Sequence, residues 1–327
     1  MPPNVVSIGG GGGATQVLHA VAPFAGQRTA VIAVTDTGRS TGLARAIAGI
    51  PAPGDLRATI AAFAQDAELG RLLQHRFSGA GVAQLEGMAF GNLMIAALAE
   101  ELGDFGAAVA RVASLAKTAI AVLPASTASV NLCAELSDGS TRVGELDVRG
   151  RDKAPIARLW LDAPAPALPQ AVAAIHQADL VVLGPGSLFT TVLAVLQHQG
   201  MAQALRETRG TVAYVCNTTT QPGQTDGFRA LDHVRWVTKV LGPGALDVAL
   251  VNRSDPDPAL LRQYDAEGLH LLQPDDVELD AIRALVPRLV VGPLTEAVGE
   301  KRAIWNKQDT IRHDTEALGR ALYESLP

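Results

Sequence analysis

The sequence predicts an α/β fold built on a mostly parallel sheet, with a small β-rich excursion over about 119–161. Three observations predict it. A short apolar run, Val5-Val6-Ser7-Ile8, ends in the glycines Gly9 to Gly13 and continues into a helical pattern from Ala14. The same strand–turn–helix order returns from Asp179 to Thr191, around Gly184-Pro185-Gly186-Ser187. Apolar strands ending at 8, 34, 183, 217 and 251 each lead into a polar or glycine-rich loop. In a parallel sheet such loops gather on one edge, where α/β proteins bind ligands.

At the first turn no Cβ keeps a bulky anion from the backbone. The N–H groups and dipole of the following helix favour its charge. Gly10, Gly11, Gly12 and Gly13 are therefore candidates to cradle a phosphate, although a tight turn without a ligand reads the same way. The second strand, 29–34, runs into Thr35-Asp36-Thr37-Gly38-Arg39-Ser40-Thr41-Gly42. Asp36 stands where dinucleotide folds place a ribose contact, and it equally suits a metal, a substrate hydroxyl or a helix cap. After Pro53-Gly54, Asp55 is placed to cap a helix over 56–64, from which Arg57 would face the Asp36 crevice. A second amphipathic helix is expected over 66–77. Phe90-Gly91-Asn92 opens a strongly apolar helix, and Asn92 suits either a ligand's polar edge or an ordinary cap. A further helix runs over about 104–116.

Strands are then expected at 119–123, 129–136, 141–148 and 156–161, with a hairpin turn at Asp138-Gly139. A helix near 168–177 precedes the second glycine turn, where Gly184, Gly186 and Ser187 repeat the opening layout. Two such turns suit a diphosphate-containing ligand lying across the sheet's switch point. The strand 211–217 ends in a polar loop from Thr218 to Gly227 that offers hydroxyls, amides and the carboxylate of Asp226. A helix at about 229–241, strands 246–251 and 288–291, and a helix from about 315 to 324 with Asp314 as its cap complete the chain.

Composition narrows the function. The 327 residues are 48% hydrophobic and 18% charged, with a net charge of −6, so the chain is globular and poorly suited to nucleic acid. Aromatic residues are only 4%, which leaves no stacking platform for single strands. The two cysteines, Cys133 and Cys216, form neither a zinc signature nor a disulfide framework. No apolar stretch reaches the ~20 residues of a membrane span. The N-terminus lacks the basic and apolar regions of a signal peptide. The expected setting is a reducing cytoplasm.

Taken together, GGGGG at 9–13, DTGRSTG at 36–42, PGDLR at 53–57, FGNL at 90–93, GPGSLFTT at 184–191 and CNTTTQPGQTDG at 216–227 resemble the bacterial gluconeogenesis-factor family. That family is related to 2-phospho-L-lactate transferase. The likeness covers nearly the whole chain, to Arg312-His313-Asp314, and so implies one domain over 1–327. It implies a three-layer α/β/α, Rossmann-like fold, often dimeric. It also implies binding of a UDP-sugar, such as UDP-N-acetylglucosamine, by a cytoplasmic regulator of carbon use, cell shape and wall synthesis. The transferase branch instead moves phospholactate from a guanosine diphosphate carrier, with a divalent metal on acidic residues. The sequence departs from the resembling motifs at Gly12, usually threonine, at Thr37, usually a second acid, and at Arg39, usually glycine.

Two function classes follow. In a nucleotide-sugar-binding regulator, Gly10 to Gly13 and Gly184 to Ser187 hold the diphosphate, with Arg39 able to meet a phosphate bidentately. Asn217, Thr220, Gln221 and Asp226 then read sugar hydroxyls or the base edge. Tyr264 and Arg312, matched in the resembling family, flank the nucleotide, with a helix-end role and an ion pair to Asp314 as their rival readings. In a phospho-group transferase, Asp36 holds Mg²⁺ while Asp55 or Asp226 orients the attacking hydroxyl. A plain NAD(P) oxidoreductase fits less well, because the last glycine of its fingerprint falls at Ala14 or Thr15.

Overall fold

The computed structural model describes residues 1–255, 258–266, 268–295 and 311–326. Its strands are β1 (Val5–Gly9), β2 (Arg28–Ile32), β3 (Ala121–Pro124), β4 (Leu132–Leu136), β5 (Thr141–Val143), β6 (Ile156–Leu161), β7 (Leu180–Leu183), β8 (Thr211–Val215), β9 (Val248–Asn252) and β10 (Arg288–Gly292). Seven of them form one sheet in the order β10-β9-β8-β7-β1-β2-β3, and every pairing in it is parallel. Strands β4, β5 and β6 form a separate antiparallel sheet, as the β-rich excursion required.

Period-two alternation divides the core. Val6 and Ile8 of β1 join one apolar layer with Val181, Leu183 and Tyr214. Val5 joins the other with Leu180, Val182 and Ala213. A strand buried on both sides must be apolar at nearly every position, and these strands are. Helices cover both layers, which gives the three-layer α/β/α arrangement.

The structure corrects several boundaries. The strand expected at 119–123 belongs to the main sheet, as edge strand β3, paired from Thr29↔Ala121 to Ile32↔Pro124. Its terminal Pro124 has no neighbour to supply with a hydrogen bond. The segment 141–148 is not one strand. Gly144, at φ 90°, turns the chain after β5 into a single helical turn, Glu145–Val148. The stretch after Asp36 is not only loop, because Arg39 opens a helix that runs to Ala48 and stops at the left-handed Gly49. The helix Asp276–Arg283, capped by Asp275, gave no periodic signal strong enough to read.

The strand order positions the site. From β1 the chain builds outward to β2 and β3, and from β7 it builds the other way. The switch point therefore lies between β1 and β7. Their register, Val5↔Leu180 through Ile8↔Leu183, ends the two strands level with each other. The two glycine turns that follow meet face to face. A Cβ on Gly13 would stand 1.7 Å from the carbonyl oxygen of Pro185, so only glycine fits there. A Cβ on Gly12 would meet nothing within 4 Å. Gly13→Ala is expected to cost about 3 kcal/mol or more, through forced separation of the turns. Gly12→Ala is expected to change stability by less than ~1 kcal/mol. Urea unfolding of the two variants checks the contrast, and equal losses would contradict it.

Candidate functional site

A cavity of about 1020 Å³ opens at the carboxyl ends of β1, β7 and β8. That volume lies at the top of the usual range for ligand pockets, roughly 300–1000 Å³. Gly10, Gly11, Gly12 and Gly13 line one side of it, and Pro185, Gly186 and Ser187 the side facing them. The helix Gly11–Ala20 starts from Gly10 without a side-chain cap and with no acid in its first turn. Its first amides and its dipole therefore suit an anion. Ser187 Oγ donates to Gln224 Oε1 at 2.7 Å and shares a 2.7 Å bond with Thr190 Oγ1, which fixes the second turn. Asn217, Thr218 and Gln221 follow from the loop after β8.

The helix Gly54–Ala62, through Asp55, Ala58 and Ala62, and the C-terminal segment Ile311 to Glu316 supply further walls. Thr218 Oγ1 donates to the Ile311 carbonyl, and Gln16 Nε2 donates to the His313 carbonyl. Asp314 caps the closing helix through the amide of Ala317 at 2.7 Å, as its position predicts. Arg312 lines the cavity as an exposed cation. His19 and His313 also line it, and the sequence reading missed both as site residues. Burial lowers the pKa of each imidazole, His313 to about 4. Both rings are neutral at pH 7.

Asp55 lies at the base of the first turn and is not the expected cap. The helix Gly54–Ala62 begins two residues earlier, from Pro53, and Asp55 occupies its first turn. A Cβ on Gly10 would stand 2.8 Å from Asp55 Oδ2, so the turn rests directly on this carboxylate. Burial and the charge of Asp36 raise its pKa to about 6, against the Gly11 amide, which favours the ionised form. Asp36 itself is half-buried, accepts the Gly38 amide at 2.7 Å, and does not line the cavity. A third carboxylate, Glu145, comes from the excursion. It is buried, pairs with Arg149 at 2.9 Å, and leaves Oε2 without a hydrogen bond among the described residues. Burial, with Asp36 and Asp55, raises its pKa despite Arg149. Sequence reading had placed Glu145 in a strand with no chemistry. Among the described residues no three His, Cys, Asp or Glu side chains gather closely enough to hold a metal ion.

Other candidates stand away from the cavity. Ser40 and Asn92 are buried together: Ser40 Oγ accepts the Ala89 amide and Asn92 Nδ2, each at 2.9 Å. This clamp ties the helix Arg39–Ala48 to the helix Phe90–Leu102. Arg57 does not face the Asp36 crevice. Its guanidinium is buried against Asn92 Oδ1 and Gln74 Oε1, and burial lowers its pKa to about 10. Arg39 is exposed at φ 37°, a left-handed conformation that explains the glycine of the resembling motif. Gly184, at φ 74°, shapes the second turn without lining the cavity. Thr220 exchanges hydrogen bonds with the His270 backbone. Asp226 closes its own loop on the Gly223 amide at 2.7 Å. Tyr264 is half-buried in the helix Pro258–Ala266.

Comparisons with known proteins agree with this architecture. The sequence model of the family described as "2-phospho-L-lactate transferase CofD" matches residues 5–295. A putative gluconeogenesis factor of Aquifex aeolicus is 36% identical over 99% of this chain and 96% of its own length. The gluconeogenesis factor of Bacillus subtilis is 32% identical over 99% of this chain and 98% of its own. The crystal structure of a UPF0052 family protein from Bacillus halodurans superimposes with a TM-score of 0.88 at 31% identity, over 98% of this chain and 99% of that one.

The raised pKa of Asp55 gives a signed prediction. A carboxyl with a folded pKa near 6 and an unfolded value of 3.8 favours the fold only while it is protonated. That contribution is fully present below about pH 3.8 and lost as pH rises through 6. Asp55→Asn is therefore expected to stabilise the protein at pH 8, on the order of 1–2 kcal/mol after solvent screening, and not at pH 4. Thermal unfolding across pH checks this; an equal effect at both pH values would contradict it.

Proposed function

The chain belongs to the 2-phospho-L-lactate transferase CofD family, alongside proteins named gluconeogenesis factors, and from that premise we propose that it binds a nucleotide-linked sugar as a cytoplasmic regulator. UDP-sugars such as UDP-N-acetylglucosamine are the ligand class, and carbon use, cell shape and wall synthesis are the processes regulated. The observation that carries this reading is the cavity between two facing glycine turns at the switch point. Its volume of about 1020 Å³ exceeds the needs of a lone phosphate. Its anion-binding elements are backbone amides, a helix end and Arg312, which bind without requiring a reaction.

A second reading, a Mg²⁺-dependent phospho-group transferase, is favoured by one observation. Asp36 is close enough for its charge to act on Asp55. Mg²⁺ is commonly held by one or two carboxylates with phosphate and water oxygens completing its shell, and in this reading Asp36 and Asp55 would supply them. Thr37, a neutral hydroxyl, adds no charge, and its Oγ1 accepts the Leu146 amide at 3.3 Å. The ion would neutralise a diphosphate against the two acids, while the glycine turns position it.

The test is a thermal-shift and calorimetry panel of UDP-glucose, UDP-N-acetylglucosamine, GDP and NAD, each with and without Mg²⁺. A ligand at ~100 times its Kd should add ~2.7 kcal/mol of stability. The regulator reading predicts a rise with UDP-sugars that needs no metal. A rise only with GDP and Mg²⁺, abolished by Asp36→Ala, supports the transferase. No heat from any UDP-sugar at millimolar concentration would contradict the proposed ligand class.

A further inference from the structure

Three acceptors on one stretch of the cavity wall have no partner among the described residues. Asn217 and Gln221 come from the loop after β8, and His313 comes from the C-terminal segment. All three line the cavity and each is more than nine-tenths buried. Asn217 Oδ1, Gln221 Oε1 and His313 Nε2 make no hydrogen bond to any described residue. Buried polar atoms are almost always paired, so three orphans on the wall of one cavity point to a partner that enters from outside.

Their chemistry says what that partner carries. The His313 ring bonds the Cys216 backbone, and its unbonded nitrogen is Nε2. The proton therefore sits on Nδ1, and Nε2 offers a lone pair. A phosphate oxygen has no proton to give to that lone pair, so this stretch of wall is not the phosphate site. The glycine turns across the cavity serve that purpose instead. A carboxamide presents an oxygen or an NH₂ depending on how it is turned, so Asn217 and Gln221 can accept from one group and donate to the next. A hydroxyl donates and accepts at once, and a ring bearing several hydroxyls satisfies such a set.

Resting on the nucleotide-sugar reading, we infer that Asn217, Gln221 and His313 form a subsite that selects a polyhydroxylated ring attached to the bound diphosphate. The ring is either the ribose of the nucleoside or an appended hexose, since both offer the same chemistry. The three residues set specificity and perform no reaction. They discriminate because a buried group built to pair with a hydroxyl is left unpaired by an analogue lacking it.

The experiment is calorimetry of the full chain with UDP, 2′,3′-dideoxyuridine diphosphate and UDP-glucose. It compares the wild type with Gln221→Met and His313→Phe, each first checked for a wild-type melting transition. Gln221→Met keeps the side-chain length and the backbone bond to Thr225 Oγ1 at 2.8 Å. His313→Phe keeps the ring and removes the lone pair, so a folding failure of one variant leaves the other informative. In the wild type, a preference of about tenfold or more is expected for one hydroxyl-bearing ligand. UDP over its dideoxy analogue identifies the ribose; UDP-glucose over UDP identifies the hexose. That preference should vanish in the variants while binding of the ligand without the hydroxyls is kept. Binding without any hydroxyl preference, or a preference unchanged in the folded variants, would overturn the subsite and leave the nucleotide reading standing. No binding of any of the three compounds would overturn both.

Discussion

The close approach of two backbones is the constraint on which the site depends. Gly13 lies against the carbonyl of Pro185 with no room for a methyl group. This contact is possible because β1 and β7 are neighbours that end in register. They are neighbours because the sheet reverses its order of construction between them. One geometric fact thus sets a helix N-terminus and a second glycine turn on opposite sides of one cavity. Neither turn alone would recognise more than a single phosphate. Facing each other, they suit a group with two phosphates, and the loop after β8 and the segment 311–316 extend the cavity beyond them.

The electrostatics are finely balanced. An overall charge of −6 repels a phosphorylated ligand at long range, so attraction has to be local. For such attraction the cavity offers backbone amides, a helix N-terminus and Arg312. Against it stand Asp55 beneath the turn and, behind it, Asp36 and Glu145; burial first, and then repulsion from the neighbouring acids, raises the pKa values of Asp55 and Glu145. A fold keeps such carboxylates together at a cost. That cost falls when a proton, a cation or a donor-rich ligand arrives. The regulator and transferase readings differ in which of these does so, and both use the same cavity.

The parts of this arrangement that follow from local chemistry were legible in the sequence. Apolar runs mark the parallel strands, and Gly9 to Gly13 and Gly184-Pro185-Gly186 mark the turns, where Gly10, Gly11 and Gly13 leave no room for a Cβ. Long-range pairing was not legible. Residues 121–124 look like one more strand of a β-rich excursion, and only tertiary pairing with β2 makes them the edge of the main sheet. Glu145 reads as a strand residue until Gly144 turns the chain. Ser40 and Asn92 have the polarity of ligand contacts, yet they spend it on each other and on Ala89 across a buried helix junction. His313 reaches the cavity only because the last helix packs against the first, with Gly319 tight against the Ala20 carbonyl. No local pattern could announce that contact. The motif resemblance, which reaches residues 312–314, was the one signal pointing there.

Hydrogen–deuterium exchange with and without UDP-N-acetylglucosamine tests the central claim most directly. Four segments distant in sequence, 10–16, 185–191, 217–221 and 311–316, are predicted to gain protection together and at the same ligand concentration, because they form one cavity. Protection confined to other segments, or of only one of the four, would contradict a ligand site at the junction of the two glycine turns.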